Sequence, residues 1–469
     1  MKKTFLLILC FLSFVVVTSC TNSINVFRKS DMNLNSDYYG QLTEEEIKSK
    51  GHKSLIPEYS TVNTTGYKNK NGTKTLYVYA CPIRFIDNND QLSLIDTSLI
   101  NIEDDTLIGK GYSYTVSNSD IKSFFPAELS KDRAIKLQKN MEYEFSTDND
   151  GVIKSQIIDQ LNFIGEKRAM ITYKNAFGEN SSLNFYPSLL GVNSEIVFNE
   201  KPTSNLVKFR LKAVDCNITV DPAGYIMMKK EMVNDKGNSN MEIVGIIQAP
   251  LIRDDNGKLC YNNKHRINKI DNDYYELTAS LDNEFLNDPG IQYPLTCYIP
   301  FEMRREKQPD SAVYSKKPNL NSFLSNYHIL GNSDDFGQGQ IRIRYDFASK
   351  FDLKANEIIS AQYTIFNLSN NNVQDNLEMV SILEDWCSTA GTWSVPVELG
   401  ELVTSLQMKS PQMEFDITDE VKKWCDSRDG MEEIFGLQLK SVDEEKGVWN
   451  VVSSNDCALF NNRTEVTLK

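Results

Sequence analysis

Short runs in which apolar and polar positions alternate recur along most of this chain. Between about residues 61 and 303 they include Leu76-Tyr77-Val78-Tyr79, Ala169-Met170-Ile171-Thr172-Tyr173, Leu206-Val207-Lys208-Phe209-Arg210-Leu211 and Tyr274-Tyr275-Glu276-Leu277-Thr278. Their β-branched and aromatic residues, repeating with a period of two, predict half-buried strands. Between them lie Asp148-Asn149-Asp150-Gly151, Asp221-Pro222-Ala223-Gly224 and Asp254-Asp255-Asn256-Gly257. These are turn sequences, because Asn, Asp and Gly tolerate positive φ. A polar stretch, Arg304 to Pro318, interrupts the pattern with Arg304-Arg305-Glu306-Lys307 and two prolines. Beyond it Ile341-Arg342-Ile343-Arg344-Tyr345 alternates strictly, and Gln362-Tyr363-Thr364-Ile365-Phe366 nearly so. Helical spacing is confined to Thr43 to Lys50 and to Thr418 to Trp424, where Val421 and Trp424 stand three apart behind a cap at Asp416 or Thr418. The expected class is all-β, built of tandem β-sandwich domains.

The first residues follow another pattern. Lys2 and Lys3 form a basic head, and Phe5 to Val17 is apolar but too short to span a bilayer as a helix. It ends in Val17-Thr18-Ser19-Cys20, which resembles a bacterial lipobox. Small residues before Cys20 suit a peptidase cleft, and the Cys20 thiol is the atom that would be acylated; the plainer reading is an ordinary signal peptide with an incidental cysteine. The expected organisation is a lipoprotein signal peptide over 1–19, Cys20 as the lipidated first mature residue, and a flexible linker over 20–60. A β-rich region of one or two sandwiches follows over 61–303, then a linker over 304–318 and a final β-sandwich over 319–469. Acyl chains on Cys20 would place the protein outside the cytoplasm, anchored to a membrane.

Length supports more than one core, since 469 residues exceed what a single one holds. Charge narrows the partners. There are 50 basic and 64 acidic residues, for a net charge of −14, and losing Lys2 and Lys3 leaves 48 against 64, or −16. Such a surface argues against nucleic acid and against electrostatic binding of anionic membranes. Of nine cysteines, Cys10 lies in the leader and Cys20 is the anchor. Cys81, Cys216, Cys260, Cys297, Cys387, Cys425 and Cys457 form no CxxC pair and no Cys/His cluster, so no zinc site is expected. Most read as small buried apolar residues, with one disulfide among Cys387, Cys425 and Cys457 left open.

Two stretches resemble known families. Leu330-Gly331-Asn332-Ser333, Arg344-Tyr345-Asp346-Phe347, Ile359-Ser360-Ala361-Gln362-Tyr363, Glu384-Asp385-Trp386 with Thr392-Trp393 and Pro396, Phe415-Asp416-Ile417-Thr418 with Val421 and Trp424, Gly436-Leu437-Gln438-Leu439-Lys440-Ser441 and Val452-Ser453-Ser454 occur in order. Together they resemble the DNRLRE domain, a β-sandwich related to a carbohydrate-binding module family, which implies sugar recognition. Tyr79-Ala80-Cys81-Pro82-Ile83 before Leu94-Ile95-Asp96-Thr97-Ser98-Leu99, then Ile171 to Phe177, Asn199 to Ser204, and Leu286-Asn287-Asp288-Pro289 with Tyr293-Pro294 are similar to the N-terminal part of RHS and wall-associated surface proteins. The long tyrosine-aspartate repeats and toxin usual in those relatives do not follow within these residues, so the resemblance implies a surface-binding front end.

Catalytic patterns are missing. His52, His265 and His328 each stand alone in sequence, and no GxSxG elbow, P-loop, HExxH or dinucleotide fingerprint occurs. Neither acidic turn fits an EF-hand: Gly151 as sixth position puts Ser146 first and Ile157 twelfth, and Gly257 gives Ile252 and Asn263. No enzyme activity, cofactor or metal is expected. All four tryptophans, Trp386, Trp393, Trp424 and Trp449, fall in the C-terminal segment. Sugars pack C–H groups on exposed aromatic faces while flanking polar groups bond their hydroxyls. Trp386 and Trp424 read as core residues, the latter on a docked helix face. Trp393 and Trp449 are the candidate ligand-binding residues, Trp449 having polar neighbours in Lys446, Gly447 and Asn450. The expected function is a non-catalytic, lipid-anchored surface protein binding a polysaccharide or cell-wall glycan. The alternatives are an adhesin presenting its sheets to a protein partner, and a hydrolase with two carboxylates about 5–10 Å apart.

Overall fold

A computed structural model describes Leu42 and residues 44–469, apart from 140–141, 149–150, 164–166, 234–238, 304–308, 345–346, 348–349, 369–374, 409–411, 427–434, 444–446 and 458. The leader, the Cys20 lipidation site, Asn149-Asp150 of the first acidic turn and the basic run 304–307 lie outside the described residues. The rest is dominated by antiparallel strands, and the all-β expectation holds.

Two sheets enclose a first core. One runs, in hydrogen-bonded order, through Lys264–Lys269, Tyr274–Ser280, Leu206–Ala213, Glu142–Thr147, Ile135–Gln138, Lys122–Pro126, Tyr112–Asn118 and Asp96–Asn101. The other is centred on Lys167–Lys174, Ser181–Pro187 and Gly191–Phe198. Alternation explains the packing: Phe145, Phe209, Leu211 and Leu277 of the first face Ile171, Phe185, Ile196 and Phe301 of the second in one buried cluster. Phe145 alone stands 4.6 Å from Phe209 and 4.0 Å from Phe301, ring centre to ring centre.

The C-terminal residues form a second sandwich, but not by themselves. One layer is ordered Leu399–Gln407, Asn376–Ile382, Leu437–Ser441, Gly337–Ile343, Tyr327–Ser333, Trp449–Ser453. The facing layer is His52–Ile56, Thr64–Asn69, Lys74–Tyr79, Arg463–Leu468, Ile358–Phe366, Gln412–Asp416. Half of that layer therefore comes from residues 52–79. Lys74 pairs with Leu468 and Tyr79 with Arg463, and Leu76 and Val78 enter the same core as Tyr363, Phe415, Leu439 and Val451. The outer face of the middle region closes on this core too, through Phe163, Met170, Tyr186 and Tyr298.

Two segments expected to be linkers are thus partly structural. Within 20–60, Glu44–Ser49 is helical and His52–Ile56 is a strand. Its anchor is His52, buried, stacked 4.5 Å from Tyr67 and bonded to Asn69 Oδ1 at 2.7 Å and the Tyr77 hydroxyl at 2.9 Å. Within 304–318, Asp310–Tyr314 is a buried strand against Gly337–Ile343. Asp310 looks like a linker residue, yet its Oδ2 accepts from His328 Nε2 at 3.0 Å and from the Asn455 amide at 2.8 Å. Hydrogen bonds of this kind are what permit a carboxylate in a core.

The acidic turns act as turns. Asp254 Oδ1 accepts from the Lys258 amide and Oδ2 from the Gln292 amide, at 2.7 and 3.2 Å. Asp221 accepts from the Ala223 amide at 2.8 Å, joining Asn217–Val220 to Ile226–Val233. All seven described cysteines are thiols: Cys81, Cys260, Cys297, Cys425 and Cys457 are buried, Cys216 half-buried and Cys387 exposed.

Two buried groups titrate in opposite senses. Glu195 accepts from the Phe163 amide at 2.7 Å and the Tyr186 hydroxyl at 2.6 Å, yet desolvation pushes its carboxyl up to about 7. Desolvation lowers His265 to about 4, its Nε2 meeting the Gln248 carbonyl at 2.7 Å. A raised carboxyl binds more protons folded than unfolded, so it removes stability as pH rises from its ordinary 4.5 through about 7. A depressed imidazole removes stability as pH falls from 6.5 through about 4. The two slopes oppose each other where they overlap. Glu195→Gln should therefore gain stability over the parent chain progressively between about pH 4.5 and 7, and hold that gain at higher pH. At 1.36 kcal/mol per pH unit the upper bound is about 3 kcal/mol; a pH-independent difference between paired thermal melts would refute the assignment.

Leu76→Ala should cost about 2–5 kcal/mol, the range for truncating a fully buried leucine. Because all tryptophans lie far away in sequence, the decisive readout is their fluorescence during denaturant unfolding. An unshifted tryptophan transition would mean that residues 74–79 are not integral to the C-terminal sandwich.

Candidate functional site

The four tryptophans divide as their sequence neighbourhoods suggest. Trp386 and Trp424 are buried, 7% and 5% exposed. Trp386 Nε1 donates to the Phe435 carbonyl at 2.5 Å, and Trp424 Nε1 donates to Glu420 Oε1 at 3.1 Å. Trp393 and Trp449 are half-buried.

Trp449 opens the edge strand Trp449–Ser453 and pairs with Gly331. Gly331 has φ +99°, and a Cβ there would fall 2.4 Å from the Val448 carbonyl oxygen. Only glycine lets the two strands close at this point, and the Asn332 amide then donates to the Val448 oxygen at 2.7 Å. That closure fixes the indole. Its ring meets Tyr261 edge-on at 5.2 Å, Tyr261 meets Phe336 at 5.3 Å, and Phe336 meets buried Tyr314 at 4.7 Å. Lys317 Nζ lies 3.9 Å above the Phe336 ring, a cation–π contact. Burial and the neighbouring Asp335 push the Tyr261 hydroxyl up to about 12, while its bond with Ser333 acts the other way. Trp449, Tyr261 and Phe336 thus form a half-exposed aromatic ledge edged by Asp335 and Lys317, with Ser333 buried beneath it. Tyr261 comes from the middle region, so the ledge belongs to neither sandwich alone.

Trp393 joins the same neighbourhood by backbone. Ser394 N donates to the Pro318 carbonyl at 2.8 Å, and Asn321 Nδ2 donates to the Ser388 carbonyl at 2.8 Å. The segment 317–321 therefore carries Lys317 onto the ledge at one end and holds the Trp393 loop at the other. Trp393 itself makes no ring contact with the Trp449 cluster among the described residues.

A groove of about 570 Å³ opens on the helix Thr418–Asp426, and sequence reading missed it. Asp416 Oδ1 accepts the Thr418 amide at 3.0 Å at the start of that helix, and the Thr418 hydroxyl meets the Ala361 amide of the adjoining strand at 2.9 Å. This docking turns Val421 and Trp424 inward, as their spacing predicts. It also buries Glu420 to 6% exposure in the groove wall, beside Glu398, Glu401, Lys423 and Leu383. Glu420 Oε1 takes the indole N–H, while Oε2 accepts no hydrogen bond. Lys423 Nζ stands 3.5 Å from Glu420 Oε2 and 3.8 Å from Glu401 Oε2, so those two oxygens are within 7.3 Å of each other. A Glu four residues before a Trp on one helix was the available signal.

The three histidines are buried in packing, at 5%, 4% and 0% exposure for His52, His265 and His328. Among the described residues no cluster of three His, Cys, Asp or Glu side chains is arranged to hold a metal ion, and no helix is long and apolar enough to cross a membrane. Compared with known proteins, the chain matches no family model and no curated protein.

Proposed function

We propose that this chain is a non-catalytic bacterial surface lipoprotein, tethered through Cys20, whose C-terminal sandwich binds a polysaccharide or cell-wall glycan. The middle sandwich acts as scaffold, and through Tyr261 it contributes to the binding face. One observation carries the reading: Trp449, Tyr261 and Phe336 expose ring surface beside a cation, Lys317, and a carboxylate, Asp335. Apolar ring faces suit sugar C–H groups, and the polar rim suits their hydroxyls. The resemblance of residues 319–469 to DNRLRE domains and the lipobox-like Val17 to Cys20 agree with it.

Hydrolysis is less well supported. A glycosidase needs one carboxyl kept protonated beside the scissile bond. In the groove the Glu401 side chain is 90% exposed, and the Lys423 ammonium stands beside both carboxylates. An adhesin reading has one specific observation in its favour. The edge strand Leu399–Gln407 exposes Leu399 and Leu402, at 40% and 55%, and an open edge can pair with an added strand.

Binding should be measured on the whole mature chain, because residues 319–469 lack the strands that complete their sheet. In affinity electrophoresis through gels of neutral and cell-wall polysaccharides, retardation by at least one polymer is expected. Trp449→Ala should weaken it about tenfold, the effect of losing roughly 1.4 kcal/mol of aromatic contact. Trp393→Ala should weaken it less, and Trp386→Phe should leave it unchanged. Retention by none of the polymers, or full retention by the Trp449 variant with an unaltered melting temperature, would refute the reading.

A further inference from the structure

The groove at the helix Thr418–Asp426 contains a feature that packing does not require. Glu420 is 94% buried, yet its Oε2 accepts no hydrogen bond and its nearest cation, Lys423 Nζ at 3.5 Å, belongs to a side chain 60% exposed. A buried carboxylate oxygen left this way carries a desolvation cost that a bound donor would relieve. The opening is large enough to supply one, since roughly 300–1,000 Å³ is the span of small-ligand sites. Its apolar wall includes Leu383, half exposed. Among the described residues that line it the charge is one-sided: Glu398, Glu401 and Glu420 with a single ammonium, Lys423.

We infer that this groove is a saccharide subsite selective for amino sugars with a free ammonium. The sugar ammonium displaces Lys423 from Glu420 Oε2, and the ring packs its C–H face on Leu383. Lys423 is suited to be displaced, because it is exposed and its second partner, Glu401, is 90% exposed. The unbalanced carboxylates attract a cationic sugar and repel uronic acids, which sets specificity more than total affinity. The inference rests on the glycan-binding reading but names a different surface from the Trp449 ledge and a defined sugar class.

The test is calorimetric titration of the full mature chain with three probes: a glucosamine hexamer, an N-acetylglucosamine hexamer and an oligogalacturonate. The glucosamine hexamer should bind best, about tenfold or more tighter than its acetylated counterpart, and more weakly as salt is raised. Glu420→Gln keeps an acceptor for the Trp424 indole and should abolish that preference. Lys423→Met, at an exposed position with no packing role, should strengthen glucosamine binding several-fold by removing the competing cation. Equal binding of the first two probes, or indifference to both substitutions, overturns the inference. If glycan is then still held and is lost in Trp449→Ala, the ledge reading survives alone; if none of the three probes binds, the groove inference falls, and the ledge reading stands or falls by the electrophoresis. Glu420-dependent binding of a polylysine peptide without glucosamine binding would overturn the saccharide assignment in favour of a protein ligand.

Discussion

The antiparallel pairing of Lys74–Tyr79 with Arg463–Leu468 is the constraint on which the rest of the structure depends. An exposed sheet edge invites misassociation, and a sandwich layer missing its central strands cannot bury its face. Here the layer is completed by joining the two ends of the folded chain. The joint continues beyond the strands, since the Cys81 amide donates to Asn461 Oδ1 and Asn461 Nδ2 donates back to the Cys81 carbonyl, at 2.8 and 3.1 Å across 380 positions. Closing so long a loop is entropically costly, although the cost grows only slowly with length. Everything between, the middle sandwich included, is held inside that closure.

What lies along the seam is polar. Gln248 Nε2 donates to Glu302 at 3.2 Å and to the Leu324 carbonyl at 2.8 Å, while its Oε1 accepts from the Asn326 amide at 3.2 Å. Asp310 then links His328 to the Asn455 amide, and Cys81 Sγ donates to the Asn455 carbonyl at 2.9 Å. An apolar seam would hold these surfaces together without fixing how they meet. Directional bonds between buried groups specify one arrangement, because any slip leaves them unpaired at the full desolvation cost. Ledge geometry needs such precision, since Tyr261 reaches Phe336 and Trp449 only in one register. Cys457 lies in the same seam and burial pushes its thiol up to about 12, so it packs as a small apolar group.

Local pattern made much of this legible. Alternation located the strands around Tyr77, Ile171, Phe209 and Phe366, and the spacing of Val421 and Trp424 located the C-terminal helix. Polar neighbours separated Trp449 from Trp386 and Trp424. Pairing at long range was not legible, because a period of two says which face of Lys74–Tyr79 is apolar but not which strand lies beside it. Asp310 and Ser311 read as linker for a related reason: the groups that make them tolerable in a core, His328, Asn455 and the Gly391 carbonyl, are distant in sequence. Glu420 was hidden by its type. On a helix a glutamate reads as solvent-facing, and only the strands packed against Thr418–Asp426 turn it inward.

The two candidate surfaces divide the chemistry of recognition between them. At the ledge the aromatic rings are the main contact area and the charges are balanced, Lys317 against Asp335, so affinity there follows ring contact and is little affected by the sign of the ligand. In the groove little aromatic face is open, and among the described lining residues three carboxylates stand against one ammonium, so discrimination there follows charge. A chain carrying −14 overall gains little by adding acid at random, because a diffuse negative field is screened within about 8–10 Å at physiological salt. Of the three carboxylates, Glu420 is buried and escapes much of that screening, while Glu398 and Glu401 are exposed and add a weaker field at the mouth. One surface that grips any suitable ring and a second that reads its charge need not be adjacent on the protein. They need only be rigid relative to each other, and the shared core of the C-terminal sandwich provides that rigidity.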